Sequence, residues 1–167
     1  MEKLRLLFTE KCDRNCKLCV NKNFSINNLP VVDHLNYSEI IITGGEPLLF
    51  LDELIGFIKG IRITYKGKIY LNTAKPPSFN ETELIKILPF VDGITLTLHT
   101  KIDVKKFVNY LFFNPTFGEG KSMRLVLFDG LSIRPEVNLK NWNLKQITWL
   151  EDCPLPEGEE FKRINIY

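Results

Sequence analysis

No apolar run in these 167 residues approaches the ~20 needed for a helix to cross a bilayer. No block of Lys and Arg is longer than a pair, and a formal charge of +2 offers no patch for nucleic acid. Cysteine is scarce: of four, three fall within the eight residues 12–19, unlike the evenly spread framework of a disulfide-stapled domain. The opening residues, Met-Glu-Lys-Leu-Arg-Leu-Leu-Phe, are too short and too charged for a secretory signal. The expectation is therefore a cytoplasmic protein with no membrane partner. What remains is ordinary: 44% hydrophobic and 25% charged residues, in a length that fits one domain over 1–167. Such a chain buries a real core.

Hydrophobic patterning divides the chain. Residues 4–8 read as a first strand, and the cysteine loop follows at once. The stretch 20–37 is polar, with at most a short helix around 31–35 in which His34 reads as a surface residue. An isoleucine run makes 38–43 a second strand, buried on both faces. Leu51, Leu54, Ile55 and Ile58 recur at helical spacing over 51–60, and 68–73 is a third strand. Asn80 and Glu83 form a capping pair for a helix to about residue 88. After a fourth strand at 94–99, Asp103 caps a helix with Val104, Phe107, Val108 and Leu111 on one face. A fifth strand is expected at 124–128. Strand and helix alternate every ~25–30 residues, the pattern of right-handed βα units and a parallel sheet. Beyond this βα core of 1–130, the extension 131–167 reads as two edge strands, 144–150 and 161–166, joined by a Pro- and Glu-rich loop.

The residues with chemistry begin at Cys12-Asp-Arg-Asn-Cys16-Lys-Leu-Cys19. Three thiols spaced C-x₃-C-x₂-C reach three corners of one cluster and leave a fourth empty. A structural zinc site takes four protein ligands, and a closed [4Fe–4S] site takes four cysteines. Cys153, in a Glu-Asp-Cys-Pro loop, is distant in sequence and reads as a free cysteine. The spacing as it stands therefore describes an open cluster site on Cys12, Cys16 and Cys19. Lys11, Arg14 and Lys17 favour the thiolate form, or are solvated surface charges.

The spacing resembles the signature of the radical S-adenosylmethionine (radical SAM) superfamily. Thr43-Gly44-Gly45-Glu46-Pro47, after the second strand, is similar to that family's Gly-Gly-Glu-Pro motif. The resemblance implies a partial (β/α) barrel, α/β in class, with a mainly parallel sheet of about five or six strands. It implies a [4Fe–4S] cluster whose fourth iron is chelated by SAM, and a one-electron reductant of flavodoxin or ferredoxin type. Reductive cleavage of SAM would then yield a 5′-deoxyadenosyl radical that takes hydrogen from a substrate. A peptide or protein, as for glycyl-radical activating enzymes, and a small molecule are both open as that substrate. Absence of a second cysteine cluster argues against auxiliary Fe–S centres.

The resemblance also assigns roles residue by residue. Gly44 and Gly45 present main-chain groups to the methionyl amine, with Glu46 and Pro47 completing the segment; alone, this would read as a tight strand-to-helix turn. Asn72, with Thr73, stands where relatives carry an Asn at the end of the third strand. Thr97 matches the hydroxyl residue that contacts SAM near the end of the fourth strand, and His99 lies nearer the mouth. Period-two alternation places Thr95, Thr97 and His99 on one face of that strand, opposite Ile94, Leu96 and Leu98. Leu18 stands where relatives carry an aromatic beside the adenine, so stacking there gives way to an aliphatic contact. Arg124 points into the cavity or pairs at an edge. The rival reading, from another class, is a non-catalytic module: zinc on three thiols plus His34 or Cys153, or an Fe–S electron carrier.

Overall fold

Leucine, isoleucine and β-branched residues at every second position build one all-parallel sheet of seven strands in the computed structural model, which describes residues 2–16, 19, 26–148 and 155–164. The strands are β1 (Lys3–Thr9), β2 (Glu39–Gly44), β3 (Lys68–Thr73), β4 (Gly93–Leu98), β5 (Ser122–Phe128), β6 (Trp142–Ile147) and β7 (Glu159–Arg163). Their spatial order is β6-β5-β4-β3-β2-β1-β7. Helices α1 (Leu51–Arg62), α2 (Glu83–Ile87) and α3 (Lys101–Phe113) follow β2, β3 and β4. No helix among the described residues is long and apolar enough to cross a membrane.

From β1 to β6 the chain steps across the sheet in one direction. Right-handed crossovers then deliver every helix to the same face. The core shows this directly: Leu6, Ile42, Leu71 and Leu96, all 0% exposed, pack with Leu54 of α1, Ile87 of α2 and Phe107 of α3. Alternate residues such as Arg5, Tyr70, Asn72, Thr95 and Thr97 look to the other face and are half-buried. A parallel sheet is ordinarily covered on both faces. Here one face is greasy and sealed while the other is polar and partly open, as in a barrel that has not closed.

The α/β class and parallel sheet agree with expectation, but the count of about five or six strands is too low. The two strands hardest to read carry sequences that hide their period. β6 is Trp-Asn-Leu-Lys-Gln-Ile with its middle exposed, and β7 is Glu-Glu-Phe-Lys-Arg with one buried side chain, Phe161. They are edge strands as expected, at opposite edges of the sheet, β6 on β5 and β7 on β1. Their bounds also fall about two residues before the expected ones, and 149–154, with Cys153, lie outside the described residues.

Two caps differ from expectation. Asn80 is exposed and caps nothing; α2 starts at Glu83, after a turn in which Ser78 and Glu81 bond each other's backbone. Glu83, the other expected member of the pair, is drawn away to Lys75 at 3.1 Å. The cap of α3 is Thr100, whose hydroxyl accepts from the Asp103 amide, while the Asp103 carboxylate accepts from the Thr100 amide at 2.9 Å. Asp103 is thus the reciprocal member of a capping box, three positions inside the helix.

Candidate active site

A cysteine loop at the carboxyl end of β1 needs a seat, and the glycines after β2 provide it. The ladder between β1 and β2 slips by one residue between Leu7 and Thr9, a bulge that re-aims the chain just before the thiols. Gly44 adopts φ +148°, which side chains rarely allow, and a Cβ there would strike the Thr9 backbone. A Cβ on Gly45 would collide with the Lys11 carbonyl. Contact this close lets the Gly45 amide donate to the Thr9 carbonyl at 2.7 Å and the Glu46 amide to the Lys11 carbonyl at 2.9 Å. Both amide donors are thus spent on the cysteine loop, while the expectation that Gly44 and Gly45 present main-chain groups to an amine concerns their carbonyls, which accept. Bare backbone is required here by backbone.

Glu46 is also turned inward. It is 1% exposed, and its carboxylate accepts from the Leu48 amide at 3.1 Å, the Thr73 hydroxyl at 2.7 Å and the Ala74 amide at 3.0 Å. Burial pushes its pKa up, against the pull of Thr73 and the two amides. Pro47 opens the short turn Pro47–Phe50 that leads into α1. In this structure Gly-Gly-Glu-Pro ties the ends of β1, β2 and β3 together beneath the cysteine loop.

Arg14, inside the C-x₃-C segment and expected either to favour the thiolate form or to be a solvated surface charge, has a different role. Its guanidinium donates to the Ala74 carbonyl after β3 and pairs with Asp103 of α3 at 2.6 Å. Its own amide donates to Cys12 Sγ at 3.4 Å. Asp103 in turn accepts from the His99 amide at 3.1 Å, so one ion pair joins the loop to the ends of β3 and β4. Burial raises the Asp103 carboxyl, but the Arg14 guanidinium, the His99 amide and the Thr100 side chain outweigh it and hold the pKa below its ordinary 3.8. Only the Arg-x-Cys spacing after Cys12 could have signalled this, and that spacing alone names no partner.

Removal of this pair should be felt by the fold. Arg14→Met is expected to destabilise the chain by about 1.5–3 kcal/mol, the cost of a half-buried charged hydrogen-bonded pair losing one member. Because Asp103 has a depressed folded pKa, its contribution is fully present above the ordinary aspartate value and is lost as pH falls through the folded one. Urea titrations should therefore show the gap between native and Arg14→Met narrowing below about pH 3.8. A constant gap across that range would mean Arg14 acts by packing alone.

Of the three thiols, Cys12 is exposed while Cys16 and Cys19 are half-buried, and none is in a disulfide. At Cys12 and Cys16 the expected thiolate bias does not hold. Burial pushes the pKa of Cys12 up, helped by Glu46 and Asp13, and burial also raises Cys16 despite the opposing pull of Arg14. Lys11 instead lies over the Phe50 ring, 5.6 Å from its centroid, and Lys17 and Leu18 lie outside the described residues. Among the described residues no three His, Cys, Asp or Glu side chains are gathered closely enough to hold a metal. The thiols share one loop without converging on one point. Their chemistry nonetheless suits a soft metal or an iron–sulfur cluster, and binding one would release protons.

Beside this loop lies a cavity of about 590 Å³, within the range of small-ligand sites. Cys16 and Arg14 line it together with Lys75 after β3, His99 after β4, and Asp103 and Lys106 of α3. Its cations are paired, Lys75 with Glu83 at 3.1 Å, Lys106 with Glu81 and Arg14 with Asp103, while the Asp13 carboxylate on its lining makes no ion pair among the described residues. Burial pushes the His99 pKa down to about 4, with Arg14 adding to the effect, so its ring is neutral at pH 7. That ring packs on Phe128, centroids 4.7 Å apart.

The cavity thus brings together Cys16 and His99 from the expected set. Thr97 and Asn72 are half-buried on the open face, as alternation requires, but do not line it; nor do Gly44, Gly45, Glu46 and Pro47. Ile94, Leu96 and Leu98 occupy the sealed face as expected, at 1%, 0% and 0% exposure. His34 stacks on Tyr37 with ring centroids 5.2 Å apart. Comparisons of the chain with protein-family models, with curated proteins and with solved structures find no match.

Proposed function

We propose that the chain is a radical SAM enzyme in which Cys12, Cys16 and Cys19 would hold an open [4Fe–4S] cluster. The observation that carries this reading is the place of the three-thiol loop. It leaves the carboxyl end of β1, where parallel α/β sheets gather their sites, and one of its thiols lines the 590 Å³ cavity. When bound and reduced by one electron from a flavodoxin- or ferredoxin-type donor, such a cluster supplies the electron that splits SAM into methionine and a hydrogen-abstracting 5′-deoxyadenosyl radical.

The chain's own residues supply placement. Gly44 and Gly45 seat the loop, Glu46 braces the strands beneath it, and Arg14 fixes its outer side to Asp103. Charges of both signs around the cavity, Asp13 and Asp103 beside Arg14, Lys75 and Lys106, suit a zwitterionic ligand better than a singly charged one. Neutral His99 at the rim can accept or donate a hydrogen bond at physiological pH without adding charge.

Anaerobic reconstitution with iron and sulfide, followed by a strong reductant and SAM, tests this. The expected products are 5′-deoxyadenosine and methionine in equal amounts. Uptake of zinc with no SAM cleavage would replace this reading with a metal-binding module.

A further inference from the structure

The open face of the sheet carries one polar row that the proposed chemistry leaves unused. Asn72, Thr95, Arg124 and Asn143 are register partners across β3, β4, β5 and β6. In a parallel sheet, register partners project to the same side. Arg124 is exposed, and its guanidinium lies over the Tyr70 ring, 5.5 Å from the centroid. Two positions further along β6, Lys145 shares this face and is exposed as well.

Charge pairing divides the face into two halves. Near β1 each cation has a carboxylate, Lys3 with Glu39 at 2.9 Å and Arg5 with Glu159 at 2.7 Å. Near β5 and β6, neither Arg124 nor Lys145 makes an ion pair among the described residues. Their register neighbours Asn72, Thr95, Asn143 and Val126 are all uncharged. A ring under the guanidinium restrains its plane without consuming its donors. A fixed, unpaired fork of donors beside hydroxyl and amide side chains is complementary to carboxylate or phosphate oxygens.

We infer that this half of the open face is an anion site, in which Arg124, supported by Thr95, Asn72 and Asn143, holds the carboxylate or phosphate of a small organic ligand. Four residues along β4 from Thr95 to His99 span about 13 Å at the rise of a parallel strand. An extended molecule anchored at Arg124 thus reaches the mouth of the sheet, where His99 meets the cavity that Cys16 lines. Identifying that molecule as the substrate rests on the radical reading above; the anion site itself does not.

The test uses the full chain, ¹⁵N-labelled, without added iron or SAM. The Arg124 side-chain Nε–Hε resonance, assigned by its loss in Arg124→Lys, is followed during titration with inorganic phosphate and, separately, succinate, at constant ionic strength. The expected result is a saturating shift with at least one anion, while exposed Arg134, away from the sheet, drifts only linearly. Saturation by phosphate alone marks a phosphate-bearing ligand, and by succinate alone a carboxylate. The calorimetric Kd for the same anion should rise roughly tenfold in Arg124→Gln, with an unchanged melting temperature. Linear drift with both anions, or Arg134 moving in parallel, overturns the site. Anion binding without SAM cleavage would leave the site standing and remove the radical reading; SAM cleavage without anion binding would do the reverse.

Discussion

Gly45→Val is expected to unseat the cysteine loop, lowering stability by about 3–5 kcal/mol and abolishing iron retention on reconstitution. A Cβ at this position meets the Lys11 carbonyl, and β-branching adds bulk in the same direction. To relieve the clash the loop must lift, breaking the bonds from Gly45 to Thr9 and from Glu46 to Lys11. Each such bond contributes about 1 kcal/mol, and overpacking adds about 1–3 kcal/mol. Urea denaturation measures the first effect and iron content per chain the second. A Gly45→Val protein that keeps full stability and iron while binding SAM weakly would show that this glycine faces the ligand instead.

The second large effect is on chemistry with little effect on the fold. Cys12→Ala, Cys16→Ala and Cys19→Ala should each reduce SAM cleavage to background after reconstitution. Because these thiols are exposed or half-buried and form no disulfide, stability should change by no more than about 1 kcal/mol. Cys153→Ala, outside the described residues, should leave both iron and cleavage unchanged. Deoxyadenosine release measured alongside thermal melting separates the two groups. Retained cleavage in any of the three loop variants, or its loss in Cys153→Ala, would sink the three-thiol assignment.

Sequence patterning was most legible where one face of an element is sealed. Leu4, Ile40, Leu71 and Leu96 alternate with polar neighbours or sit in apolar runs, and the strands containing them were found within one or two residues. β6 and β7 lie at edges, bury little and carry charge, so periodicity said almost nothing about their partners. In the site, cysteine spacing was readable because one loop holds all three. What local sequence could not show was direction: Gly44 and Gly45 free the backbone for close approach, but whether a ligand or another backbone approaches is decided by residues 35 positions away. Arg14 was illegible for the same reason, since Asp103 lies 89 residues along the chain.

β7 holds more than the outer edge of β1. The Ile164 amide donates to the Leu7 carbonyl at 3.2 Å, just before the thiols. Arg163 donates to the Pro30 carbonyl at 2.9 Å and accepts from the Val32 amide at 2.9 Å, just after them. Chain on both sides of the cysteines is therefore gripped by residues made 131 (Val32 to Arg163) to 157 (Leu7 to Ile164) positions later. During synthesis at about 5–20 residues per second, β1 and its loop wait many seconds for that strand. Lys3 and Arg5 interrupt the leucines of β1 and guard its open edge against pairing with other chains meanwhile. So long a sequence separation also makes closure the slow step of refolding. If the chain takes a metal as proposed, one delivered before β7 is made would meet a loop seated on the β2 glycines but not yet held at its β7 side.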